Sequence, residues 1–205
     1  MKPASDLPGV GGPIESSADG ALARLKADLE RYFRMTGAEG PWAKARLVLQ
    51  TESIWAIAVH RLGHFLRSEA PLPARALLRW PFAILQLAAR LVVGIYLDPA
   101  ADIGGGLYIG HSGGIWVAPQ TRIGRHCNLA HAVTIGVGGS ARRGAPTIGD
   151  RVWIGTKATI AGPVTVGSGA VVGANSLVAT DVPENAVVVG VPARVLGFSG
   201  SAALL

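Results

Sequence analysis

Two kinds of apolar spacing divide the chain near Leu97. Upstream, from about Ala21 to Gly94, apolar residues recur at intervals of three and four, the signature of amphipathic helices. "ALARLKADLERYFRM" (21–35) reads this way, and so does "PWAKARLVLQTESIWAIAVHRLGHFLRS" (41–68), where Pro41 suits a first helical turn. A third segment, Pro73 to Tyr96, is more apolar. Downstream, an aliphatic recurs every six residues: Leu97, Ile103, Ile109 and Ile115, then, after a two-residue insertion, Ile123, Leu129 and Ile135. A longer interruption precedes Ile148, Ile154, Ile160, Val166, Val172 and Val178. A fixed period over thirteen positions outranks local propensity and predicts a parallel β-helix. Each hexapeptide forms one side of a triangular coil, and each coil buries its aliphatics on its neighbours.

The interruption, "GVGGSARRGAP" (136–146), is seven residues longer than a side allows, so a loop carrying Arg142 and Arg143 must leave the coil there. Loops on rigid scaffolds are frequent binding sites. The expected organisation is a flexible leader (1–18), an α-helical region (19–96), a β-helix (97–189) with the extruded loop 136–146, and a tail (190–205).

The third helical segment raises the question of a membrane. Arg79, Pro81, Gln86 and Arg90 interrupt it, and its uncharged runs fall well short of the ~20 residues a spanning helix needs. A buried or interfacial helix is expected, with attachment to a membrane surface as the alternative. The net charge of +6 suits an anionic partner such as a cofactor phosphate, an acidic glycan or a membrane surface. The scattered arginines form no nucleic-acid-reading motif, so no nucleic-acid partner is expected. The single cysteine, Cys127, rules out an intrachain disulfide and fits a reducing compartment. The N-terminal stretch has no apolar signal region, so a cytoplasmic location is expected.

Phase then places the histidines. His111 stands two residues past Ile109, and His131 two past Leu129, the equivalent position one coil on. They should share a column on strands about 4.8 Å apart, continued by Thr156 and Ala174. Two histidines followed by small side chains make an edge where a thin, extended ligand could lie. A glycine-flanked imidazole on such an edge suits a general base. His131 is either a second acid–base group or a side chain that orients His111. His60 and His64, four apart on a helix, lack a third ligand and read as packing residues. His126 is off the column and is expected to face solvent.

"HRLGHFL" (60–66), "LDPAADIGGGLYIGHSGGI" (97–115), "HAVTIG" (131–136) and "GVPARVLG" (190–197) resemble the serine acetyltransferase branch of the left-handed β-helix acyltransferases. The resemblance implies a homotrimer, with a hexamer through the N-terminal helices left open, and acetyl-CoA lying between subunits. It implies His111 as the base that deprotonates an acceptor hydroxyl, and His131 assisting. It further implies that Gly136, Val137, Arg142, Arg143, Thr156, Lys157, Ala174, Pro192 and Arg194 hold the cosubstrate, and that no metal takes part.

The sequence departs from that pattern at three places. Where the family has an Asp before the catalytic histidine stands Gly110, and where it has a second histidine near the end of the loop stands Ala145. Its orienting Asp falls on Tyr96, with Asp98 two residues on as the available substitute. These losses remove the groups that would grip serine's ammonium and carboxylate. The expected acceptor is therefore a glycan hydroxyl of an exopolysaccharide or cell envelope, with serine as the alternative. A metal hydratase of the γ-carbonic anhydrase kind is the rival from another class, because His126 and His131 have the separation of its histidine pair. A non-catalytic assembly scaffold is the other.

Overall fold

An aliphatic at every sixth position can be buried only if the chain turns a corner after each one. The structure is a computed structural model that describes residues 19–138 and 144–205. The leader 1–18 and the loop arginines Arg142 and Arg143 lie outside the described residues. Short parallel strands stack into three faces. The first face holds Asp102–Ile103, Arg122–Ile123, Thr147–Ile148 and Thr165–Val166. The second holds Tyr108–Ile109, Asn128–Leu129, Trp153–Ile154, Val171–Val172 and Val187–Gly190, with Ala193–Gly197 turning back antiparallel to end it. The third holds Ile95–Leu97, Ile115–Val117, Thr134–Gly136, Thr159–Ala161 and Leu177–Val178.

On the first two faces the expected aliphatics pair in register. Ile103, Ile123, Ile148 and Val166 form one stack, and Ile109, Leu129, Ile154 and Val172 another. The third face differs from expectation. Its stack runs Leu97, Val117, Ile135, Ile160 and Val178, so Val117 is the rung and Ile115 pairs with Ile95 instead. Both Ile115 and Val117 are buried, two residues apart on one strand, so spacing alone could not separate them. The two-residue insertion therefore lies before Val117, in the corner that carries His111.

Four helices precede the coil: α1 (Ala21–Thr36), α2 (Gly40–Gln50), α3 (Glu52–Ser68) and α4 (Leu72–Ala88), the last continued by a π-helical turn, Ala89–Val93. The buried face of α1 is mostly polar. Arg24, Asp28, Arg31 and Tyr32 are buried while Leu22 is exposed. The reason is the open edge of the first coil, whose backbone groups have no strand beyond them and need other partners. Arg24 donates to the Ile103 carbonyl at 3.1 Å and to Asp102 at 2.7 Å. Arg31 donates to the Gly106 carbonyl at 2.6 Å and to the Cys127 carbonyl at 3.2 Å, and also bonds the Asn128 side-chain oxygen. Arg61 of α3 bonds the carbonyls of Ile103 and Gly104. It also pairs with Asp28 at 2.9 Å, and Asp28 in turn accepts from the Leu107 amide at 2.8 Å.

The Asp28–Arg61 pair is almost fully buried. Burial pushes the Asp28 carboxyl above its ordinary range, against the opposing pull of Arg61 and the Leu107 amide. Such a pair is a weak net stabiliser but costs much when one member is removed, because the other is left buried and alone. Its contribution is to fix how the helices dock.

α4 lies on the surface of the chain. None of its residues is buried within the chain, although the stretch Leu72–Val93 is long and apolar enough to cross a membrane by length and composition. It touches α3 where Phe82 crosses Gly63, with no room there for a larger residue. His64 contacts the Pro99 carbonyl at 3.3 Å, and His60 is fully buried beside it without well-formed hydrogen bonds. Burial, helped by the charges of Arg61 and His64, holds the His60 pKa well below 6.5.

Two outcomes follow for stability. Arg61→Met should lower the unfolding free energy by about 3–5 kcal/mol, read from urea denaturation, since Asp28 keeps its burial and loses its partner. His60 stays neutral in the fold, so its contribution is intact above the unfolded-state value near 6.5 and is lost as pH falls below it. His60→Gln should flatten the decline of stability between about pH 6.5 and 5, measured by denaturation midpoints across that range.

Candidate active site

His111 follows the edge strand Tyr108–Ile109, and His131 follows its neighbour Asn128–Leu129. The register Ile109, Leu129, Ile154, Val172 sets His111, His131, Thr156 and Ala174 into one column at the corner. Turn residues behind them lock the stack. The Ala132 amide donates to the Gly113 carbonyl at 2.8 Å, Lys157 to His131 at 3.0 Å, and Asn175 to Thr156 at 2.8 Å. Ala132, Lys157 and Asn175 take left-handed backbone angles near +58°, which tightens each corner to the same shape.

The imidazoles of His111 and His131 meet edge to face, with centroids 6.0 Å apart. His131 Nδ1 lies 3.4 Å from the Thr156 hydroxyl, a long contact. His111 is exposed and no protein hydrogen bond reaches its ring among the described residues, so it is free to act on a ligand. The inserted residues lengthen its corner to "GHSGGI", where Gly113 and Gly114 take positive φ angles of 101° and 70°.

Beside His111 lies a cavity of about 450 Å³, walled by Gln50, Thr51, Glu52 and Ser53 at the α2–α3 junction and by Gly110, His111 and Ser112. Glu52 accepts a hydrogen bond from the Ser112 hydroxyl at 2.7 Å, tying the two walls together. Behind the cavity, Tyr32 of α1 bonds both backbone groups of Ile109, donating to its carbonyl at 2.9 Å and accepting from its amide at 3.0 Å. Ser53 donates to the same carbonyl at 3.1 Å. These bonds fix the backbone two residues before His111. Burial pushes the Tyr32 phenol up to about 12, so it remains a neutral hydroxyl that can both donate and accept.

Spacing did not single out Tyr32, Ser53 or Glu52, because long-range docking alone brings them to the corner. The one available signal was the polar residues within the apolar helical pattern of α1.

Asp98 does not take the orienting role expected of it. One carboxylate oxygen accepts from Tyr96 at 2.9 Å and the other from the Ala100 amide at 2.8 Å, and no hydrogen bond joins it to His111. It caps the turn that begins the first coil. His126 is exposed on the corner before Asn128–Leu129, while His131 is on the corner after it. The two histidines of the hydratase reading thus point from different corners. Among the described residues no three His, Cys, Asp or Glu side chains group as a metal site. Cys127 is buried, and burial pushes its thiol up to about 12, so it is inert as a nucleophile.

Of the residues expected to hold a cosubstrate, Thr156 and Ala174 continue the histidine column and Lys157 is exposed beside it. Gly136 ends the strand Thr134–Gly136, and Val137 follows it, exposed where the chain leaves the coil. Pro192 and Arg194 are exposed where Ala193–Gly197 folds back, at the far end of the face from His111. The strand after Ile109, Leu129, Ile154 and Val172 on this face is Val187–Gly190, four steps of ~4.8 Å or about 19 Å from the first.

Comparison with known proteins places this architecture. The family model for bacterial transferase hexapeptide repeats (six repeats) matches residues 145–180. The chain is 37% identical over 151 residues to serine acetyltransferase of Mycobacterium tuberculosis, covering 71% of this chain and 61% of that protein. It is 33% identical over 178 residues to that of Bacillus pumilus, covering 86% of this chain and 77% of the relative. Neisseria gonorrhoeae serine acetyltransferase in complex with serine superposes with a TM-score of 0.71 at 33% identity, over 85% of this chain and 68% of that one. The Brucella abortus enzyme in complex with coenzyme A gives a TM-score of 0.73 at 29% identity, over 87% and 68%. The chain belongs to the serine acetyltransferase family of hexapeptide-repeat acyltransferases.

Proposed function

We propose that the chain transfers the acetyl group of acetyl-CoA to a hydroxyl, with His111 as general base and serine as the acceptor. The observation that carries this reading is the column in which exposed His111 faces His131 and leads into Thr156 and Ala174. The column fits an extended thioester: small side chains leave a strip along the coil, with Pro192 and Arg194 at its far end. His111 takes the hydroxyl proton as the oxygen attacks the thioester carbonyl. The tetrahedral oxyanion is held by backbone N–H donors of the groove. Its collapse expels the coenzyme thiolate, which takes the proton from the His111 imidazolium, leaving an O-acetyl ester and the free thiol. His131 stands edge-on to His111 and assists by holding its ring. A homotrimer with the cosubstrate between neighbouring coils, working in the cytoplasm where acetyl-CoA is made, belongs to the same proposal.

Serine is favoured because relatives and solved structures matching over most of the chain are serine acetyltransferases, one of them in complex with serine. A glycan hydroxyl is the second reading. Gly110 and Ala145 stand where acidic and basic acceptor ligands were expected, and the exposed apolar α4 with Arg75 and Arg79 would suit a lipid-linked substrate.

His111→Ala should lower turnover by about 10²–10⁴-fold, the range for a lost general base, with the KM for acetyl-CoA within a few-fold of the parent. Thiol release from acetyl-CoA in the presence of serine measures both, and unchanged turnover would overturn the assignment. The same assay with a simple glycoside in place of serine discriminates the acceptors.

A further inference from the structure

Among the described residues, the cavity beside His111 has one wall residue with a carboxylate, Glu52. Gln50, Thr51, Ser53 and Ser112 are neutral and polar, Gly110 offers only backbone, and Glu52 supplies a carboxylate. Among the described residues, no Lys or Arg lines it. Glu52 comes from the first turn of α3, yet the Ser112 hydroxyl, one residue past His111, donates to its Oε2 at 2.7 Å. The carboxylate is thereby held against the catalytic corner. Its other oxygen has no protein partner among the described residues and remains available to a ligand.

Gly110 sharpens the point. A Cβ built there would meet only Tyr108, at an ordinary 3.6 Å, and the backbone angle is not one that requires glycine. Neither space nor strain forces the absence of an acid before His111. Among the described residues, the negative charge of the cavity stands instead on Glu52, at the start of α3.

We propose that Glu52 binds the acceptor's ammonium group, so that the site selects hydroxyl compounds carrying a primary amine close to the reacting oxygen. The proposal rests on the reading of His111 as the base that activates that oxygen. A carboxylate opposite an ammonium forms a charge-assisted hydrogen bond, and a neutral wall elsewhere gives a neutral sugar no comparable anchor. Serine and ethanolamine are compact amino alcohols whose ammonium sits on the carbon next to the one that bears the hydroxyl. Among the described residues no cation lines this cavity to meet the carboxylate that serine adds, so Glu52 is the charged anchor they offer.

An alternative role for Glu52 is structural: an acid in the first turn of a helix favours the macrodipole, and its bond to Ser112 braces the corner. The test separates the two. Glu52→Gln keeps an oxygen for the Ser112 hydroxyl and removes only the charge. Steady-state kinetics of the full chain are to be compared for serine, ethanolamine and glycerate, the last being serine with its ammonium replaced by hydroxyl. In Glu52→Gln the KM for serine and ethanolamine should rise about 10- to 100-fold, the worth of a charge-assisted hydrogen bond. The kcat and the KM for acetyl-CoA should stay within about two-fold, and any glycerate turnover should be unaffected.

An unchanged KM for serine in Glu52→Gln would overturn the proposal while leaving serine acetylation standing. A parent protein that acetylates ethanolamine through Glu52 but not serine would keep the proposal and sink the serine reading. Equal losses for glycerate and serine, or a fall in kcat alone, would assign Glu52 to bracing and overturn it.

Discussion

The open edge of the first coil governs the rest of the molecule. A stack of parallel coils satisfies its own backbone groups everywhere except at its two ends, where a row of carbonyls and amides would face whatever lies beyond. At the far end the antiparallel return of Ala193–Gly197 covers the last strand. At the near end the partners are side chains. Arg24, Arg31 and Arg61 take the carbonyls of Ile103, Gly104 and Gly106, Asp28 takes the Leu107 amide, and Tyr32 takes both groups of Ile109. The helical region is therefore a cap in which α1 presents a mostly polar inner face because the surface it meets is backbone, while α3 adds Ile54 and Ile57 to the hydrophobic core.

The same cap builds the site. The corner carrying His111 is two residues longer than the corner beneath it, and would be loose if it hung from an unpaired strand. Tyr32 and Ser53 clamp Ile109 from behind, and Glu52 ties Ser112 from the side. His111, the proposed base, thus stands on a fixed backbone beside a cavity that is also lined by the α2–α3 junction. Preorganisation of this kind lets an exposed histidine act without a large positioning cost at each turnover.

Much of this was legible in the sequence, for an identifiable reason. Burial in a β-helix is periodic and local, so the aliphatic spacing gave two of the three stacks and, through them, the column of His111, His131, Thr156 and Ala174. The third stack was misread at Ile115, since alternate residues of one strand are both buried and only the neighbouring coil decides the register. The docking of the helices left no such trace. Tyr32, Ser53 and Glu52 are brought to the corner by partners 77, 56 and 60 residues away. Asp98 illustrates the converse: proximity in sequence to the expected position suggested an orienting role, whereas its observed bonds go to Tyr96 and Ala100.

If the polar cap holds the catalytic corner, loosening the cap at one atom should weaken catalysis without removing a group that touches the substrates. Tyr32→Phe deletes only the hydroxyl that bonds Ile109 and Ser53. The decisive measurement is the kcat for acetyl transfer by this variant, taken at a temperature where its far-ultraviolet circular dichroism matches the parent. The account predicts a fall of roughly ten-fold or more, in keeping with the sensitivity of turnover to small displacements of a catalytic group, with the KM for acetyl-CoA little changed. A kcat equal to the parent's would contradict it, showing that His111 keeps its place without the cap.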